Sequence, residues 1–240
     1  MKKNIYTKQY YENFALNTLK KYFPEKFSRF EKHECPDWLC GKIGLEVTRS
    51  ISTRDGELDA FINDCSGKEF SDIKKEKLKK LGFPTELTKS TVDHLFETRS
   101  RKNGVIYFCH TKDDRYLFSA YFSRVDSAEN CIVDMHQTVE AKLKKLNGNY
   151  DRLEENDLAI IIQEQLNYGV GEDILINEIS EKMTAITKKL YSDSKYPIVF
   201  DCIYVIFLDN VFTIDAESLG CKRIIISGED LLSISKESAD

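Results

Sequence analysis

No stretch of this sequence approaches the roughly 18 consecutive apolar residues that a membrane-crossing helix requires. The N-terminal residues Met1-Lys2-Lys3-Asn4-Ile5-Tyr6 are basic, but they lead into polar and aromatic positions rather than the apolar core of a signal peptide. The expected location is the cytoplasm, with no membrane partner. Paired metal-binding cysteines are also missing. The seven cysteines (Cys35, Cys40, Cys65, Cys109, Cys131, Cys202 and Cys221) are odd in number and include no Cys-x-x-Cys pair. Reduced, mostly buried thiols are expected. His33, Cys35 and Cys40 lie close together, yet no second cluster completes a tetrahedral zinc set. An excess of positive charge is lacking too: the formal net charge is −5, which excludes a protein coated in basic surface. A local basic groove within an acidic whole remains compatible with that figure. There is no internal repeat and no low-complexity linker.

What the sequence does contain is enough apolar material for a sizeable core, 41% of 240 residues. That suits one large domain, or a core carrying one inserted lobe. A first helix is expected over about Thr7–Phe23, with Thr7 as N-cap, an apolar face including Phe14, Ala15 and Leu19, and Pro24 at its end. Strand signals follow at Phe27–Glu34, Asp37–Cys40 and Ile43–Ile51, the last two joined by a tight Gly41-Lys42 turn. From Ser52 to Asn103 the chain turns charged and mostly helical, with Phe70, Ile73, Leu78 and Leu81 as a sparse apolar stripe stopped by Gly82 and Pro84. Val105–His110 and Tyr116–Phe122, joined through Asp113-Asp114, read as a hairpin.

A second amphipathic helix is expected over Ile132–Leu146, then a central strand over Asp157–Gln163 and a further helix over Glu172–Leu190. Strands at Ile198–Leu208, Val211–Ile214 and Lys222–Ser227 close the pattern, and the last dozen residues read as a polar, frayed tail. The economical architecture is an α/β sheet with helices on its faces. Residues 1–51 and 131–227 form the core, 52–130 an inserted lobe, and 228–240 the tail.

The chemistry is concentrated in His33-Glu34-Cys35-Pro36-Asp37-Trp38-Leu39-Cys40-Gly41-Lys42-Ile43-Gly44-Leu45-Glu46-Val47-Thr48-Arg49. A hairpin of this length brings Asp37 and Glu46 to neighbouring positions across a strand pair. Two adjacent carboxylates repel each other, so a stable arrangement includes a divalent cation. Magnesium suits such oxygen ligands, keeps waters in its remaining positions, and activates one of them while offsetting charge on a phosphate.

Pro36-Asp37 followed by Glu46-Val47-Thr48 resembles the paired elements of the PD-(D/E)XK nuclease superfamily, which includes restriction-endonuclease-like proteins. The helix before them and the helix-strand pair after them fit that superfamily's αβββαβ core. The resemblance covers roughly Thr7–Ile51 and Ile132–Leu208 and leaves the inserted lobe unexplained. It implies a Mg2+- or Mn2+-dependent nuclease acting on DNA, in a restriction or phage-defence setting, with Asp37 and Glu46 as metal ligands. Glu12 in the first helix is the candidate for the additional acid often found there. One departure stands out: Thr48 occupies the position of the usual lysine and carries no charge. Glu46 and Thr48 share a strand face. Lys42 has the same parity but lies about 13 Å from Glu46 along an extended strand. Lys142, at the border of an apolar helix face, is the preferred replacement.

Each residue also has an ordinary explanation. Asp37 after a proline shapes turns, Glu46 alone is an exposed strand residue, and Glu12 or Lys142 alone is a solvated helix position. Trp38 reads as packing rather than as a base-stacking platform. Lys74, Lys75, Lys77, Lys79 and Lys80, with Arg99, Arg101 and Lys102, suggest a phosphate-gripping surface on the lobe. Gln163 and Gln165 follow the central strand, where they would line the site. The alternative function is a nuclease-like module that binds nucleic acid or protein without cutting. Oligomeric state stays open, a homodimer being compatible because paired enzymes of this type address two strands.

Overall fold

The computed structural model describes residues 8–51, 53–81, 85, 105–112, 115–122, 128–148, 153–162 and 172–239. The chain divides into two compact units, residues 1–51 with 127–240, and residues 52–126. The expected Thr7 cap, the Gly82 and Pro84 stop, the Asp113-Asp114 turn, Arg99, Arg101, Lys102, Gln163 and Gln165 lie outside the described residues.

The larger unit is built on a mixed seven-stranded sheet in the order β1-β2-β3-β6-β7-β8-β9. Its strands are β1 (Glu31–Lys32), β2 (Trp38–Cys40), β3 (Ile43–Arg49), β6 (Glu155–Ile162), β7 (Cys202–Phe207), β8 (Asn210–Asp215) and β9 (Cys221–Ile225). β3, β6 and β7 run parallel to one another, and every other pairing is antiparallel. In β6, Leu158 to Ile162 are all buried, as an apolar run in a strand covered on both faces should be. Leu158, Ile160 and Ile162 pack with α5 (Ala128–Leu146) and α6 (Glu172–Tyr191); Ala159 and Ile161 pack with α1 (Lys8–Tyr22) on the opposite face. The architecture is α/β, as the order of elements predicts.

In the larger unit, three stretches form differently from expectation. Pro24, expected to end the first helix, instead opens a short second one, α2 (Pro24–Phe27), because its fixed φ suits a first helical position. Phe27 is then buried, its ring 5.4 Å from that of Tyr204, and the strand expected over Phe27–Glu34 shrinks to Glu31–Lys32. The long strand expected from Ile198 begins only at Cys202. Upstream of it, the Asn147 side chain stands in for a neighbouring strand, donating to Ile198 O at 2.7 Å and accepting from Ile198 N at 3.0 Å.

The third difference is the C-terminus, which is not a frayed tail. Gly228–Glu237 forms α7, capped by Ser227, whose hydroxyl accepts from Asp230 N at 3.1 Å. Buried Ile234 joins the layer beneath α1, and Tyr22 donates to Asp230 Oδ2 at 2.9 Å. The polar composition that suggested a tail is the solvent face of an amphipathic helix.

The smaller unit comprises α3 (Thr53–Cys65), a 3-10 turn (Phe70–Asp72), α4 (Lys75–Leu81) and the hairpin β4 (Val105–Lys112) to β5 (Arg115–Phe122). Leu58, Phe61, Ile62, Phe70, Ile73, Leu78 and Phe118 form its own core. Phe70 and Ile73 lie before α4 rather than on one continuous helix with Leu78. Among the described residues no helix is long and apolar enough to cross a membrane.

Candidate functional site

Strand register brings Asp37 and Glu46 together. Trp38 pairs with Leu45, Leu39 with Gly44, and Cys40 with Ile43 across a two-residue turn whose Gly41 has φ +60°. One step further out, the same register sets Asp37 opposite Glu46. β2 stops at Trp38, and there the Asp37 side chain continues the pairing: its Oδ2 accepts the Val47 N–H at 2.8 Å. Its carbonyl oxygen accepts from His33 N at 2.9 Å. Pro36 lies against Gly44 so closely that a Cβ on Gly44 would meet Pro36 Cγ at 2.6 Å. The Pro36-Asp37 step is thereby seated on β3, which places the carboxylate.

Leu45 and Val47 point into the layer under α1, so the alternation of β3 turns Glu46 and Thr48 to the other face. There the Lys142 ammonium, projecting from α5, bonds Glu46 Oε1. Thr48 sits two residues along and is half-buried; its hydroxyl makes a long contact, 3.5 Å, with Arg49 O. Lys42 does not reach the site: its ammonium pairs with exposed Glu154.

Glu12 arrives from α1. It is not a solvated helix residue, being only 4% exposed, while Asp37 and Glu46 are each 5% exposed. Lys32 of β1 bonds Glu12 Oε2, and Lys8, one helical turn earlier, lies 3.0 Å from Glu12 Oε1 and 3.7 Å from Asp37 Oδ1. Glu12 Oε1 has no well-directed hydrogen bond beyond this ion contact, so part of its accepting capacity is unused. Lys32 also sits 4.5 Å above the Trp38 ring, and the tryptophan is buried. Trp38 is thus a packing residue that holds one of the site's cations.

The electrostatics follow from this crowding. Burial raises the Asp37 carboxyl to a pKa of about 6; the Glu46 and Glu12 carboxylates add to the rise, while the Val47 N–H and Lys142 oppose it. Burial also resists ionisation of Glu12, but Lys32 and Lys8 outweigh it and hold that carboxyl below its ordinary range. Lys8 is raised, chiefly by its close ion contact with Glu12.

Among the described residues, no three His, Cys, Asp or Glu side chains form a group able to hold a metal by themselves. The donor chemistry present is two neighbouring hard carboxylates, Asp37 being pushed upward by burial and then by the charge of Glu46; such oxygen donors are of the kind that hard divalent cations take. His33 Nδ1 accepts from Cys35 N at 3.2 Å, and Cys35 and Cys40 are free thiols, the first exposed and the second half-buried.

Lys8 and Lys32 were not legible as site residues. Lys8 at four residues before Glu12 carried a helical-pair signal, whereas Lys32 meets Glu12 only through the placement of β1 against α1. No protein-family model, no curated protein and no solved structure matches this chain.

Proposed function

We propose that this chain is a metal-dependent phosphodiesterase acting on DNA, with a core of the PD-(D/E)XK, restriction-endonuclease-like kind. The observation that carries the reading is the bond from Lys142 to Glu46 on the face that Glu46 shares with Thr48. It supplies, from α5, the cation that the Thr48 position lacks. The order of helix, three strands, helix and strand in α1, β1–β3, α5 and β6 supports the same reading.

Mg2+ or Mn2+ would be held by Asp37 and Glu46, with Glu12 assisting through water, and when bound would offset phosphate charge and acidify a water. The residues of the chain then divide the remaining work. Asp37 is fixed at its Oδ2 by the Val47 N–H, and its Oδ1 lies 3.7 Å from the Lys8 ammonium. Lys142 is 15% exposed at its side chain and held by its helix, so it can orient a nucleophile or neutralise a phosphate oxygen without first losing much freedom. Thr48 adds a neutral hydroxyl on the same face. Glu12 stays ionised through Lys32 and Lys8 and can accept a hydrogen bond from water. The lysines of α4 in the smaller unit, exposed apart from their pairings, are suited to sequence-independent phosphate contact.

The test is cleavage of single- and double-stranded DNA and RNA with Mg2+ or Mn2+, comparing Asp37→Ala, Glu46→Ala and Lys142→Ala with the natural chain. A fall of about 100-fold or more is expected for each; unchanged rates in both carboxylate variants would falsify the assignment. A second reading, a nuclease-like module that binds without cutting, is favoured by one observation: Lys8, Lys32 and Lys142 already neutralise Glu12, Asp37 and Glu46. DNA binding that survives in Asp37→Ala, with no cleavage by the natural chain, selects it.

A further inference from the structure

The three lysines at the site differ in how far they can leave it. The Lys142 side chain is 15% exposed and that of Lys32 41%, with its ammonium set over Trp38. The Lys8 side chain is 85% exposed, although its ammonium is 3.0 Å from Glu12 and 3.7 Å from Asp37. Lys8 therefore stands between the buried carboxylates and bulk water, on a long stem anchored at the first residue of α1. The lysine end of these contacts lies in water, where solvent screens it and ordering the long side chain costs entropy, although the carboxylates themselves are buried. A cation placed there has two consequences. It competes with any divalent ion for Asp37, and once displaced it is the most solvent-exposed of the three positive charges.

We propose that Lys8 is a further substrate-binding residue, which neutralises Glu12 and Asp37 in the metal-free protein and turns to a non-bridging phosphate oxygen of the nucleic acid when a divalent ion is bound. This rests on the reading of Asp37 and Glu46 as metal carboxylates. No bond is made or broken by Lys8; it exchanges one anionic partner for another. Its position explains why the carboxylate cluster is closed by an exposed lysine as well as a buried one: Lys142 remains on Glu46, while Lys8 is free to move with the phosphate.

The experiment uses the full chain and compares Lys8→Met and Lys8→Arg with the natural protein. Mn2+ binding is measured by calorimetry without nucleic acid. A short single-stranded DNA is then titrated by fluorescence anisotropy in Ca2+. Lys8→Met is expected to bind Mn2+ about three-fold tighter, because the competing cation is gone. It is expected to bind DNA several-fold more weakly, with the slope of log affinity against log salt reduced by about 0.7. Lys8→Arg should keep the salt slope. Equal Mn2+ affinity and an unchanged salt slope in Lys8→Met overturn the role of Lys8, provided Glu46→Gln abolishes Mn2+ binding. If the natural chain binds no Mn2+, or Glu46→Gln binds it equally, the metal-centre reading fails and takes the Lys8 proposal with it. A thermal melt of Lys8→Met is expected to fall only slightly below that of the natural protein, because buried Glu12 and Asp37 lose one solvent-screened cation while Lys32 still pairs with Glu12.

Discussion

Asp37 sits where folding and chemistry pull in opposite directions. Its pKa of about 6 lies above the ordinary value of 3.8, so between those pH values the folded state holds a proton that the unfolded chain has lost. Stability therefore falls as pH rises through that window, and the full penalty is present above pH 6. The penalty is at most roughly 3 kcal/mol. Asp37→Asn keeps an acceptor for the Val47 N–H and removes the charge, so it is expected to raise the unfolding midpoint at pH 8 and to do little at pH 4. Urea titrations at the two pH values check this; equal shifts at both would sink the explanation. The Glu46–Lys142 pair makes the complementary case. Lys142→Met leaves a carboxylate buried without its cation, at a cost of about 3–5 kcal/mol. Adding Glu46→Gln should recover most of that loss, and a double-mutant cycle measures the recovery.

At the scale of elements, α7 and β3 bear most on the site. α7 covers the same apolar layer as α1, whose residue Glu12 joins the carboxylates, through Ile234 and through the bond between Tyr10 and Ser235 at 2.9 Å. Ile234→Ala is expected to destabilise the core by about 2–4 kcal/mol, and Ser227→Ala by about 1 kcal/mol through loss of the cap. Chemical denaturation followed by circular dichroism distinguishes both from a true tail, whose substitution would change nothing. In β3, Gly44 is required because Pro36 and Leu153 fill the space of a side chain, with a Cβ meeting Leu153 Cδ1 at 2.5 Å. Gly44→Ala should therefore shift Pro36-Asp37 and lower stability, and on the proposed metal site it should also weaken Mn2+ binding, readable by calorimetry.

For the whole molecule, pH dependence has a second source away from the site. Asp157 at the start of the central parallel strand is fully buried beside Lys26, whose ammonium is 2.7 Å from its Oδ2. Burial raises Asp157 to about 7; Lys26 opposes the rise, and Glu155 and Asp201 add to it. The sign is that of Asp37: stability declines as pH climbs from 3.8 towards 7, because the unfolded chain releases its proton first. Asp157→Asn should flatten the stability profile between pH 4 and pH 7, measured as thermal midpoint in buffers of constant ionic strength. A profile as steep as that of the natural chain would show that other groups dominate.

Much of the fold was legible because period and punctuation are local. The α5 stripe of Met135, Val139 and Leu143, the β6 run and the Gly41-Lys42 turn each announce their element within a few residues. The start of α7 is encoded locally too: Ser227 followed three residues later by Asp230 is a helix start, masked by the polar composition around it. The site divides the same way. Spacing between Asp37 and Glu46 contains the hairpin that joins them, so their meeting is written in the chain. That Glu12 is buried, that Lys142 crosses from α5 to Glu46, and that Lys8 and Lys32 close the cluster depend on how helices and an edge strand pack on the sheet. Those contacts join residues up to 96 positions apart, and no local pattern encodes them. The sequence by itself determined two carboxylates on neighbouring strands; only the tertiary structure decided which lysines neutralise them, because charge partners in a buried site are chosen by packing.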